Sequence, residues 1–174
     1  MPEALYHGSD SRVEDVSLDR GVPNKDFGRG FYTTAAAWQA ERFAILKARR
    51  AGLGFGWVSV FDLKDPSGLR VREFSEPNAV WFDFVLRNRG FQRLVQGAAD
   101  VEADVVRGPV ANDAVGLVLN QFVAGVFGPP ATLEARATAI RLLMTQNLHD
   151  QVFFGTERAA SRLRFREAYR VRVD

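Results

Sequence analysis

Short apolar stretches of strand length alternate with longer stretches of helical period along this chain, and the strand-like ones crowd both ends. Elements interspersed in this way build a mixed α+β domain, with helices laid against a compact central sheet. Residues 4–6 (ALY), 57–63 (WVSVFDL), 69–74 (LRVREF), 103–110 (ADVVRGPV), 151–156 (QVFFGT) and 164–173 (RFREAYRVRV) read as strands. The stretch ADVVRGPV runs into a Gly-Pro break, and residues 9–25 are polar and form a loop.

Four longer helices are expected. Thr33 or Thr34 can cap one running to about Arg50, with Ala40, Phe43, Ala44 and Leu46 facing inward. Pro77 at a first helical position and Gly90 past the end bracket a second. Asp113 caps a third, whose Val115, Val118, Leu119, Phe122, Val123 and Val126 keep to one helical face. Thr132 caps a fourth, with Leu133, Ala137, Ile140 and Met144 on one stripe; ERAASRL is a short fifth helix.

A chain of 174 residues is most simply a single domain, 1–174, large enough to bury a real core. Its 47% hydrophobic and 25% charged residues exclude wholesale disorder. The 23 basic and 21 acidic side chains leave a formal charge of +2, too small a surplus to imply nucleic-acid binding by itself. The absence of cysteine excludes disulfides, thiolate metal sites and a cysteine nucleophile, and fits a reducing compartment. No metal is expected. MPEALYHGSD lacks the pattern of a signal peptide, and no run approaches the ~18 apolar residues of a membrane span. The expectation is a soluble, cytoplasmic protein with no membrane partner.

Residues 26–34, DFGRGFYTT, place Phe31 and Tyr32 behind two glycines. A kinase DFG is excluded, because the chain is too short and has no HRD-type loop or strand lysine. Nor is there a GxGxxG or a GxxxxGK[ST]. Tyr32 could present its ring to a planar ligand where Gly28 and Gly30 allow close approach. Equally, Phe31 and Tyr32 could be core aromatics behind a tight turn. His7 lies at a strand end beside Gly8 and Ser9, where sites are built, or is a hydrogen-bonded structural histidine. His149 reads as a cation at a helix C-terminus. Arg29 could reach a pyrophosphate or lie in solvent. Asp26 could fix its loop through local hydrogen bonds. In SRLRFREAYRVRV the arginines occupy even positions and the apolar residues odd ones, which reads as a charged sheet face or as a docking surface for nucleic acid or an acidic protein.

LYHGS followed by DFGRGFYTT and a helix containing QAERFA resembles the bacterial DUF3990 family of the ADP-ribosyltransferase superfamily. WFDFVLRNR, DVVRGPVANDAV and DQVFFGTERAASRLRF extend the likeness from residue 5 to about 169. The resemblance implies a split central sheet of short strands flanked by helices, with NAD in the cleft between its halves. It implies that His7 bonds the adenosine-side ribose, that Gly8 backbone groups hold the carboxamide and that Tyr32 stacks on nicotinamide. Ser9, Asp26, Gly28, Arg29 and Gly30 would complete the NAD contacts. The position where the superfamily usually has glutamate falls on Gln151, which can orient a hydroxyl but cannot act as a carboxylate base. An acceptor that is itself nucleophilic, or help from Asp26, Asn112, Asp113 or Glu157, would then be needed. Glu157 also reads simply as an acid at a helix N-terminus.

The function implied is transfer of ADP-ribose from NAD to a protein or nucleic acid, by a toxin or effector with an antitoxin or immunity protein as partner. Two alternatives remain open: a degenerate module that binds NAD or a partner, and a ribonuclease using His7 and His149.

Overall fold

The structure is a computed structural model that describes residues 4–97, 102–110, 113–144 and 148–173. Two sheets form its centre. The first has the order β1 (Ala4–Ser9), β3 (Phe55–Leu63), β7 (Leu163–Arg172), all antiparallel. The second has the order β2 (Phe31–Thr33), β6 (His149–Phe154), β5 (Val105–Val110), β4 (Val71–Glu73), with only β4 and β5 parallel. The expected α+β class holds, with two sheets of short strands flanked by helices.

Helix α1 (Ala37–Arg50) covers the outer face of the first sheet. Helices α2 (Ala79–Asn88), α3 (Asp113–Val123) and α4 (Leu133–Met144) cover the outer face of the second. Between the sheets, Leu5, Phe31, Phe61, Val105, Val152 and Phe154 form a buried core. The short α5 (Glu157–Ala160) adds Ala159 to it. Burial of such side chains supplies about 1.5–3 kcal/mol each before the entropy of ordering them is counted.

Several sequence expectations are corrected. Thr33 belongs to β2, and Thr34 bridges to Tyr6, so α1 starts only at Ala37. Its buried stripe is Ala40, Ala44 and Ala48, whereas Phe43 and Leu46 are 45% and 38% exposed. The reason is steric: a Cβ at Gly8 would stand 2.1 Å from the Ala40 carbonyl oxygen, and one at Gly56 2.4 Å from that of Ala44. A helix this close to the sheet tolerates only alanine along the contact. In α4, Ala135, Ala139 and Leu143 are the buried apolar residues; of the expected stripe Ile140 packs partly buried against the core, while Leu133, Ala137 and Met144 are exposed. Pro77 precedes the cap of α2; Asn78 is the cap, accepting from the Trp81 amide. Strand β5 continues through Gly108-Pro109, α3 stops before the exposed Val126, and His149 opens β6 rather than ending a helix.

The arginine row of β7 is also redistributed. Phe61 pairs with Phe165 and Val60 with Glu167, leaving Arg166 as an extra residue. Such a bulge reverses side-chain parity beyond it. Arg164 therefore shares a face with Asp62, while Arg170, opposite Trp57, lies on the other face with its guanidinium 4.3 Å from the Phe55 ring centre and 4.9 Å from that of Trp57. Arg166 is paired with Asp62.

Candidate functional site

The edge strands of the two sheets, β1 and β2, meet at a single bridge, with amide-to-carbonyl bonds between Tyr6 and Thr34 of 2.8 and 2.9 Å. Beside this seam lies a cleft of about 390 Å³, within the usual range for small-molecule sites (about 300–1,000 Å³). Strands β1 and β2, helix α1 and the loop 10–26 supply most of its wall.

His7 enters from within β1, which runs on to Ser9 and pairs through it with β3, rather than from the strand end expected. Its ring lies against Phe31, centroids 4.4 Å apart at 27°, and Nδ1 donates to the Tyr32 carbonyl oxygen at 2.7 Å. A carbonyl can only accept, so Nδ1 carries the proton and Nε2 keeps a lone pair. Burial, opposed by this hydrogen bond and reinforced by the Lys47 ammonium, pushes the ring's pKa down to about 4. His7 is therefore neutral at physiological pH, with Nε2 able to accept from a hydroxyl. Tyr6 spends its N–H and C=O on Thr34, away from β3; by strand alternation Gly8, two residues on, turns its own N–H and C=O the same way, toward the cleft that it lines.

Tyr32 projects to the opposite face of β2 from Phe31 and packs against Phe153 and Phe27, centroids 4.8 and 6.4 Å away. Its hydroxyl donates to the Gly28 carbonyl at 2.8 Å and accepts from the Phe27 amide at 3.1 Å. Burial, partly offset by the Phe27 amide, holds the phenol well above its ordinary range, so it stays protonated. The glycines of DFGRGFYTT serve this arrangement. Gly28 takes φ 98°, and a Cβ on Gly30 would meet Phe153 and the Phe154 carbonyl at 2.4 Å.

Gln151 comes from β6, part-exposed, opposite Gly108 of β5. His7, Gly8, Ser9, Asp26, Gly30, Tyr32 and Gln151, distant in sequence, thus line one cleft. Of the other described candidates, Gly28, Arg29, Glu157 and His149 do not line it. Gly28 contributes its carbonyl to Tyr32 but no cleft wall, and Arg29 is exposed and outside the lining. Asp26 is buried and paired with Arg89 at 2.6 Å, a longer-range contact than the local turn expected of it. Asp113 is the first residue of α3, and Asn112 lies outside the described residues. Glu157 is exposed in the first turn of α5, away from the cleft, as an acid at a helix N-terminus. His149 packs edge-on against Trp38, centroids 4.7 Å apart, and does not line the cleft that holds His7.

Sequence reasoning missed Gln39, Phe43 and Lys47 of α1, and Arg89 just after α2, all of which line the cleft. The first three recur every fourth residue, a stripe beside the buried alanines that could have been read from the sequence. No helix among the described residues is long and apolar enough to cross a membrane. No curated protein and no solved structure matches the chain. A family model described as "Protein of unknown function (DUF3990)" matches residues 4–165, and the chain belongs to that family.

Proposed function

We propose that the protein cleaves the nicotinamide–ribose bond of NAD and transfers ADP-ribose to a macromolecular acceptor, protein or nucleic acid. The observation that carries this reading is the convergence of His7, Tyr32 and Gln151, from three strands, on one cleft at the seam of two sheets. In this reading the neutral His7 Nε2 accepts from an adenosine-side ribose hydroxyl, and the Gly8 amide and carbonyl meet the two-pronged edge of the carboxamide. The Tyr32 ring, fixed at its hydroxyl by Gly28 and Phe27, flanks the nicotinamide.

When the C–N bond breaks, its electron pair leaves with nicotinamide, which becomes neutral, and positive charge develops on the ribose C1′. The acceptor attacks C1′ and releases its proton. The chain's contribution is orientation of the dinucleotide and of a ribose hydroxyl by the Gln151 amide. Roles as a cytoplasmic toxin or effector, restrained by an antitoxin or immunity protein, rest on the resemblance to ADP-ribosyltransferases alone.

One observation favours a second reading, an NAD-binding module without turnover. Gln151 offers no carboxylate, and Asp26, a carboxylate that does line the cleft, is engaged by Arg89. Calorimetric titration with NAD beside an assay of nicotinamide release separates the two. Binding with release supports the transferase, binding without release selects the module, and absence of binding rejects both.

A further inference from the structure

The cleft carries more positive charge than its pairing accounts for. Among the described residues, four cations line it, Arg20, Lys25, Lys47 and Arg89, against the acids Asp15 and Asp26. Asp26 is committed to Arg89. Among the described residues, Arg20, Lys25 and Lys47 form no ion pair. They come from separate elements: Lys47 from α1, Arg20 from the turn Leu18–Arg20, and Lys25 from the end of the polar loop.

Lys47 is the part-buried member, with its ammonium 5.4 Å from the centre of the Phe43 ring. Burial, opposed by Asp10 and reinforced by Lys25, holds its pKa below the usual lysine value. Like charges gathered in a partly desolvated wall destabilise one another unless an anion joins them. Arg29, the sequence candidate for this role, is exposed and does not line the cleft.

We infer that Lys47, with Lys25 and Arg20 on the loop wall, forms the subsite for the diphosphate of the cleft's ligand. The inference rests on the reading that the cleft takes a dinucleotide, and it deepens that reading by assigning residues from α1 and the polar loop to the phosphates. Lys47 also links the subsite to His7, since its charge disfavours a proton on that ring. A ligand whose phosphates engage Lys47 is thereby held beside a histidine kept neutral for hydroxyl recognition.

The test is calorimetric titration of the full chain with inorganic pyrophosphate, ADP and adenosine, comparing wild type, Lys47→Gln and Lys25→Gln. Wild type is expected to bind ADP more tightly than adenosine, and Lys47→Gln to lose affinity for ADP and pyrophosphate by about tenfold or more while adenosine binding is unchanged. Added salt should weaken pyrophosphate binding to wild type. Equal affinity of wild type and both variants for ADP overturns the subsite. If Lys47→Gln is poorly folded by circular dichroism, the exposed Lys25→Gln decides by the same criterion. Nicotinamide release from NAD with an unchanged KM in both variants would also overturn the subsite while leaving the transferase standing. Pyrophosphate binding that is lost in Lys47→Gln, in a chain that never cleaves NAD, would support the anion site while the transferase reading falls.

Discussion

His7 and Tyr32 come from the two strands that meet at the seam, and one hydrogen bond from the His7 Nδ1 to the Tyr32 carbonyl ties them together. Burial, which that bond only partly opposes, makes His7 an acid-sensitive point of the fold. The unfolded chain protonates this ring near 6.5, the folded chain only near 4. Above 6.5 neither form is charged and His7 contributes no pH dependence; as pH falls from 6.5 to 4 the unfolded state takes up the proton first, and stability is lost. Urea unfolding at pH 7 and pH 4.5 should therefore show a larger acid loss for wild type than for His7→Gln, and equal losses would contradict the assignment. Tyr32→Phe removes the hydroxyl's bonds to Gly28 and Phe27 but keeps the ring. It is expected to cost about 1–3 kcal/mol of stability while leaving most nicotinamide release intact. A release rate as low as that of Tyr32→Ala would instead place the hydroxyl, not the ring, in the chemistry.

Helix α1 is the element on which the cleft depends most, because one of its stripes packs on the first sheet and the adjoining stripe lines the site. Gly8→Ala would drive a methyl into the Ala40 carbonyl and lift the helix. A loss of about 1–3 kcal/mol, seen as a lower melting temperature, should accompany weakened ligand binding; an unchanged melt would mean that helix and sheet are not in this contact. The same contact explains what the sequence did not reveal. Hydrophobic period finds α1 and places Ala40 and Ala44 inward, but it adds the bulky Phe43 and Leu46, because it cannot see that Gly8 and Gly56 demand small partners. The bulge at Arg166 has no local signature either, so the alternation of β7 reads straight through it. Helix α4 hides Arg136, which is buried against the Phe82 ring and bonded to Asp83 at 2.6 Å. Asp83 also accepts from the Gln96 and Gly97 amides. Arg136→Ala should therefore cost about 3–5 kcal/mol in urea unfolding, since it strands a buried carboxylate; a cost below about 1 kcal/mol, typical of a surface pair, would contradict this packing.

At the scale of the molecule, α1, the first sheet, the second sheet and the helices α2, α3 and α4 stack in succession, and the cleft opens where the two sheets come together at one bridge. His7, Gly8 and Tyr32 stood out locally, a histidine beside Gly8-Ser9 and an aromatic behind two glycines, and Gln151 only through the family resemblance. The expected strand end at His7 and strand start at Gln151 fall instead inside β1 and β6. Lys47 lies on a readable stripe of α1, whereas Arg89 was not legible, because only the stacking of helices against sheets brings it to the same cleft. Whether that cleft acts on NAD is decided by nicotinamide release from NAD by the purified chain, wild type beside Tyr32→Ala and Gln151→Ala. The account predicts release by wild type that both substitutions abolish or sharply reduce. Release that persists unchanged in Tyr32→Ala, or a wild-type chain that neither binds nor cleaves NAD, would contradict it.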